Sequence, residues 1–193
     1  MGDPAGTKRK RSDYTVLAVI GVDASRRMFL VDLVRDKLSL KERWEKTRDL
    51  WLKWRPLETG YEEYGLQADI EYFEEKMADE GVYFQITPLG GKLEKNARIK
   101  RMQPIFENGK FLIPYELPYV RDGRQVDLIT EFIVDEYTKF PFPQHDDILD
   151  AISRIRDLNV VYPAGPRVQV VPRAKFDPLA PDKPARKGTW MAN

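Results

Sequence analysis

The sequence has 193 residues, about one domain by length, with 42% hydrophobic and 33% charged residues. It has no cysteine and one histidine, His145, which excludes disulfide scaffolds, thiol catalysis, Cys-ligated metals and multi-His metal sites, and leaves a Ser–His–Asp triad a single candidate base. Thirty-two Lys and Arg against 31 Asp and Glu give a formal net charge of +1, so a nucleic-acid-binding surface, if there is one, must be local.

Residues 4–13 are turn-forming and basic. Tyr14 to Gly21 is a β-branched apolar run that predicts a buried strand, and after a turn at Val22–Arg27, Met28 to Val34 predicts its hairpin partner. Ser39 with Glu42 three residues on has capping-box spacing and starts a helix. Leu40, Trp44, Leu50, Trp51 and Trp54 form its apolar face, and Pro56 stops it. Residues 59–64 predict a short strand running into a turn at Gly65. A helix follows over Leu66–Asp79, ended near Gly81, and then a strand over Val82–Thr87, ended by Pro88. Lys92–Met102 predicts a basic helix. Asn108-Gly109 between apolar runs predicts a hairpin over 105–113, with a loop at 114–124. Gln125–Tyr137 and Asp146–Leu158 predict two closing helices on either side of Phe140-Pro-Phe-Pro143. From 163 the chain turns Pro-rich and basic, which divides it into a domain over 1–160 and a tail over 161–193. The order predicts a mixed α/β sheet with helices on both faces and an added β-hairpin. No apolar run has the roughly 20 residues of a membrane span, and no secretory signal is present, so a soluble intracellular protein is expected.

With neither Cys nor multiple His, any metal must be held by carboxylates, which points to Mg²⁺ or Mn²⁺. Three acidic places stand out: Asp3; Glu62 with Glu63 at the end of a strand; and Asp146 with Asp147 at the start of the last helix. Carboxylates from distant strand ends can converge into a hard oxygen-rich site suited to two ions that clamp a phosphodiester. Taken singly, Asp3 also fits a turn, Glu62 and Glu63 a solvated edge, and Asp146 and Asp147 a helix cap.

Together, Asp3-Pro4-Ala5-Gly6, Tyr61-Glu62-Glu63-Tyr64-Gly65 and His145-Asp146-Asp147-Ile148-Leu149-Asp150-Ala151, in that order, resemble the C-terminal nuclease domain of the large terminase subunit of tailed bacteriophages. Lys95-Asn96-Ala97-Arg98-Ile99 and Phe106-Glu107-Asn108-Gly109 also fit, so the resemblance covers about 2–158. It implies an RNase H-like fold with a five-stranded mixed sheet. It also implies two-metal cleavage of double-stranded DNA concatemers during genome packaging, in the cytoplasm of an infected bacterial host. Asp3, Glu62, Asp146 and Asp147 are then the catalytic, metal-holding acids, Glu63 being the weaker alternative to Glu62. The partners implied are double-stranded DNA, the ATPase motor domain, the small terminase subunit and the portal. Two departures are expected to matter. The first strand should precede Asp3, where only Met1 and Gly2 stand, so it is apparently truncated. Gly90-Gly91-Lys92 also lacks the rest of a phosphate-binding loop, so no ATP hydrolysis is expected.

In this reading Lys8, Arg9, Lys10 and Arg11, and Lys92, Lys95 and Arg98 on the basic helix, contact DNA phosphates. Solvated faces are the plain alternative for each group. His145 fits a capping or loop role ahead of a contact to a water or phosphate at the site, Trp44, Trp51 and Trp54 fit core packing, Asp69 a solvated or capping role, and Asp13 an approach to the metal site from the second strand. The tail cations Arg167, Arg173, Lys175, Lys183, Arg186 and Lys187 could hold DNA or a partner. Two rival functions remain open: a catalytically inactive module docking on DNA or the motor, and another RNase H-like nuclease such as a junction resolvase.

Overall fold

The computed structural model describes residues 14–62, 67–91 and 93–165. Strand β1 (Thr15–Val22) pairs antiparallel with β2 (Met28–Asp36), and β2 pairs in parallel with the short β5 (Phe111–Leu112). Helix α1 (Leu40–Trp54) starts at the capping box of Ser39 and Glu42. Next come β3 (Thr59–Glu62), helix α2 (Gln67–Glu80) and β4 (Ile86–Leu89), with β3 and β4 paired in parallel. Two short helices, α3 (Lys95–Lys100) and α4 (Gln103–Glu107), lead through β5 to a hairpin of β6 (Pro118–Arg121) and β7 (Arg124–Asp127). A helical run begins as α5 (Leu128–Thr130), continues with π-type hydrogen bonding over Glu131–Glu136 and ends in a 3₁₀ turn at Tyr137–Lys139. Helix α6 (Asp147–Ser153) closes the described fold, followed by a 3₁₀ turn at Arg154–Asp157.

Two apolar cores organise these elements. The larger joins Met28, Leu30 and Leu33 of β2 to Ile99, Leu128, Phe132, Ile148 and Ile152 of the helices. The smaller joins Trp44, Tyr61, Phe73 and Met77, so β3 is anchored by Tyr61 between α1 and α2. Trp44 stacks on Phe84 and meets Phe73 edge-on, the packing role expected for it.

Several expectations are corrected. The described residues form three small sheets, ordered β1-β2-β5, β3-β4 and β6-β7, in place of one five-stranded sheet. The expected truncated first strand falls on residues outside the described set. The Asn108-Gly109 hairpin is absent: Gly109, at φ 61°, lets the chain leave α4, with its N–H donated to the Phe106 carbonyl. The hairpin turn is Asp122-Gly123 instead, where both residues take positive φ (48° and 72°), the two-residue geometry that suits twisted strands. The sequence between 82 and 85 is not strand, and β4 includes Pro88, which is tolerated because among the described residues β4 pairs on one side only.

A register shift between Val19 and Ile20 positions the site. Val19 faces Asp32 but Ile20 faces Leu30, so β2 carries one extra residue there. Strand side chains alternate faces, and one inserted residue switches the alternation. Leu33 therefore joins Met28 and Leu30 in the large core, and Arg35, two residues further on, points toward the helical run after α5 and toward α6.

Candidate active site

β3, which carries Glu62 as its last residue, is packed at close quarters along Gly60. A Cβ on Gly60 would come within 2.6 Å of Leu89 Cδ1 and 2.9 Å of Leu158 Cδ2, so a larger residue would require both leucine side chains to shift for β3 to keep its place against β4 and the turn after α6. Glu62 is exposed and forms an ion pair with Arg154. Glu62 and Asp147 line one groove of about 630 Å³, together with Lys95, Asp150 and Arg154.

Asp146 is the residue before α6 and Asp147 its first residue, where the unpaired N–H groups of the helix favour negative charge. The basic helix α3 lies against them. Lys95 Nζ is 2.6 Å from Asp146 Oδ1 and 3.9 Å from Asp150 Oδ2. Burial pulls the Lys95 ammonium down, but Asp146, Asp150 and Asp147 outweigh it and hold its pKa above the ordinary value. Arg98, 6% exposed, donates through Nε to Asp150 Oδ1 at 2.8 Å. Its guanidinium faces a carboxylate rather than solvent, whereas Lys95 stays accessible at its groove edge. His145 meets Tyr14 edge-on at 5.8 Å, with Nδ1 3.9 Å from Asp147 Oδ2.

Beneath Asp147 lies a network that the sequence reading missed. Glu136 is fully buried, and its Oε2 accepts the N–H groups of Ile148 and Leu149, both at 2.9 Å, which caps α6 from another element. Arg35 Nη1 donates to Glu131 Oε2 at 3.0 Å, and its Nη2 is 3.7 Å from both Glu136 Oε1 and Asp147 Oδ2. In an α-helix, residues five apart point about 140° away from each other. The π-type bonding from Glu131 to Glu136, five residues apart, brings both carboxylates to Arg35. Burial raises Glu136 to about 7 against the opposing N–H groups and Arg35. Burial also pushes Glu131 up, but Arg121 and Arg35 prevail and hold it below the ordinary value. One signal pointed to Glu136: it falls four residues after Phe132, on the apolar face of its helical segment.

A model of the terminase RNase H-like domain matches residues 2–155. The chain belongs to this family of terminase nuclease domains. No curated protein sequence matches it. Among solved structures, the terminase domain is similar to the large terminase nuclease from thermophilic phage G20c, described with bound magnesium. That match has 16% identity and a TM-score of 0.39, and covers 75% of this chain and 80% of that one.

Of the acids singled out in the sequence of this terminase domain, Glu62, Asp146 and Asp147 are described. Asp3, Glu63 and Asp13 lie outside the described residues, as do Lys8, Arg9, Lys10, Arg11, Lys92 and the tail cations from Arg167 on. Among the described residues no three His, Asp or Glu side chains are grouped closely enough to hold a metal ion. Each described acid instead has a cation: Arg154 for Glu62, Lys95 for Asp146, Arg35 for Asp147, Arg98 for Asp150. The donors are all carboxylate oxygens, which fit Mg²⁺ or Mn²⁺ and not softer metals. Asp69 is not solvated: it is buried, accepting from the Tyr61 hydroxyl at 2.9 Å and pairing with Arg43 at 3.1 Å. Among the described residues no helix is long and apolar enough to cross a membrane.

Proposed function

We propose that this terminase domain is a metal-dependent endonuclease that cuts double-stranded DNA concatemers during phage genome packaging. The observation that carries the reading is the shared groove: Glu62 from a strand end and Asp147 from a helix start, far apart in sequence, face the same space beside Lys95 and Arg154. Glu62, Asp146 and Asp147, with Asp3, would hold two Mg²⁺ or Mn²⁺ ions. Bound there, such ions supply an activated water and stabilise charge developing on the phosphodiester. The protein's own part is to preorganise the acids. Glu136 and Arg35 fix the start of α6, Arg98 holds Asp150, and Lys95 and Arg154 balance the carboxylates and meet phosphate oxygens as DNA enters. Such contacts carry no sequence information, so cleavage has little sequence preference. Lys8–Arg11 and Lys92 extend the phosphate-binding surface, and 161–193 is a tail outside the nuclease domain at 1–160. The motor domain, small terminase subunit and portal are its partners in the bacterial cytoplasm.

Supercoiled plasmid incubated with the folded chain in Mn²⁺, Mg²⁺ or EDTA tests this reading. Metal-dependent nicking and linearisation, lost in Glu62→Ala, is the expected result. One observation favours a second reading, an inactive module that docks on DNA or the motor: Glu62, Asp146, Asp147 and Asp150 are each already paired with a cation. Tight duplex binding without cleavage in Mn²⁺ would establish that reading instead, and preference for branched over linear duplex would indicate a junction resolvase.

A further inference from the structure

Arg154 is the first residue of the 3₁₀ turn that follows α6, and Asp157 is its last. In a 3₁₀ helix residues three apart eclipse each other, so the turn itself brings the Asp157 carboxylate to the Arg154 guanidinium. Nη1 of Arg154 lies 3.3 Å from Asp157 Oδ2, and its Nη2 bonds Glu62. Arg101 Nη2 meets the other oxygen of Asp157 at 2.5 Å. Alternating charges therefore run in a row, from Arg101 through Asp157 and Arg154 to Glu62, and their formal sum is zero.

The two partners of Arg154 differ in place. Glu62 lines the groove, whereas Asp157 stands outside its lining. The Arg154 side chain is 12% exposed and that of Glu62 47%. The buried arginine is the fixed member of the pair, and the half-open glutamate, last residue of β3, is the one free to turn. Lys95 differs, because both of its carboxylates, Asp146 and Asp150, belong to the start of α6. A divalent ion that takes the Glu62 oxygens must take them from Arg154. Two arginines are then left on one carboxylate, which puts an uncompensated positive charge at the groove wall. A guanidinium keeps its charge at every working pH and presents a fork that fits phosphate oxygens.

We propose that Arg154 is an exchangeable counter-ion that couples metal binding to duplex binding. Paired with Glu62 it is neutralised and occupies a site acid. Once Glu62 turns to a metal, Nη2 of Arg154 engages a DNA phosphate while Nη1 stays on Asp157. This rests on the nuclease reading above and adds a coupling to it. A phosphate that draws Arg154 away from Glu62 leaves that acid open to metal, so each ligand tightens the binding of the other, and the coupling is reciprocal. Metal-free protein grips duplex with one phosphate contact fewer than metal-loaded protein does.

The test begins without metal. Fluorescence anisotropy of a labelled duplex is followed across a salt series in EDTA, on the full chain and three variants. Glu62→Gln removes the negative partner and frees Arg154, so it should steepen the salt slope of the affinity by about 1. Arg154→Gln alone should keep the wild-type slope, and combining it with Glu62→Gln should restore that slope. Equal slopes for wild type and Glu62→Gln, a steep slope kept in the combined variant, or a shallower slope in Arg154→Gln alone would each overturn the proposal. The first comparison leaves the buried Arg154 in place, so it reads the exchange even where Arg154→Gln fails to fold. The second arm follows Mn²⁺ by electron paramagnetic resonance in the absence of DNA. Arg154→Gln should bind Mn²⁺ about two- to fivefold more tightly than wild type, the worth of a partly exposed ion pair. Wild-type binding with no gain in Arg154→Gln would end this proposal alone. A folded wild type that binds no Mn²⁺ would end the nuclease reading and this proposal with it.

Discussion

Arg35 on β2 and Asp147 at the start of α6 stand with Nη2 and Oδ2 3.7 Å apart, and the same guanidinium bonds Glu131 at 3.0 Å. A buried cation thus ties a groove acid to the framework. Replacing Arg35 by Met leaves the buried Glu136 without its counter-charge and leaves Glu131 with Arg121 alone. The expected cost is about 3–5 kcal/mol, the scale for removing one partner of a buried pair. Urea unfolding followed by far-UV circular dichroism measures it, and a loss below about 1 kcal/mol would mean that the network is not structural.

Glu136 should make apo stability pH-dependent. Its folded pKa is about 7, raised from an ordinary 4.5. The folded state therefore holds the proton more tightly than the unfolded chain does. This stabilisation is complete below about 4.5, declines as pH rises through about 7, and is then lost, a swing of about 3 kcal/mol. Stability in EDTA should fall over that window, and the fall should flatten in Glu136→Gln, whose amide oxygen can still accept from Ile148 and Leu149. Glu136→Ala loses the cap and should be destabilised by about 1–3 kcal/mol below about pH 4.5, a deficit that shrinks as pH rises through about 7 because the variant has no buried carboxyl to ionise. Chemical denaturation across the pH series, on all three proteins, reads both effects.

Lys95 and Arg98, three residues apart, should part company in DNA binding. Lys95 is 39% exposed and Arg98 is 6% exposed, with its guanidinium on Asp150. Lys95→Ala should weaken duplex binding and reduce the salt slope of the affinity by about 1. Arg98→Ala should leave the slope unchanged per folded molecule but cost about 3–5 kcal/mol of stability. Fluorescence anisotropy across a salt series, with a parallel urea melt, separates them. A reduced slope for Arg98→Ala in folded protein contradicts this division.

Lys95 also acts as a counter-ion to Asp146, at 2.6 Å. Without it, Asp146, Asp147 and Asp150 stand closer to uncompensated repulsion. Lys95→Ala should therefore melt lower in EDTA, by the equivalent of about 1 kcal/mol, and gain more than wild type when Mn²⁺ is added. Equal Mn²⁺ stabilisation of the two proteins would show that Lys95 and the metal do not share the acids.

What the sequence made legible is what local chemistry decides. Ser39 and Glu42 start α1 as their spacing predicts, Trp44 packs in the core, and Glu62 and Asp147 fall at the strand end and helix start read for them. The failures have tertiary causes. Asn108-Gly109 has turn chemistry, but Pro104 near the start of α4 makes 103–107 helical and turns the glycine into a helix end. Asp122-Gly123 carries the same signal and forms the hairpin, because 118–121 and 124–127 can pair. Arg35 was invisible as a site residue, and Glu136 showed only in falling four residues after Phe132. The first is aimed by an extra residue in β2, the second by a π-type segment, and neither device has a periodic signature. Asp69 read as solvated because its partners, Tyr61 and Arg43, come from other elements.

The central claim is that the carboxylates at the start of α6 and the end of β3 hold divalent metal. Titrating the folded chain into Mn²⁺ and following the electron paramagnetic resonance of the free ion tests it most directly. Wild type should deplete the free-ion signal. Asp146→Ala combined with Asp147→Ala should lose that depletion while keeping its circular dichroism, and Glu62→Ala should weaken it. A folded double variant that binds Mn²⁺ as wild type does would contradict the account.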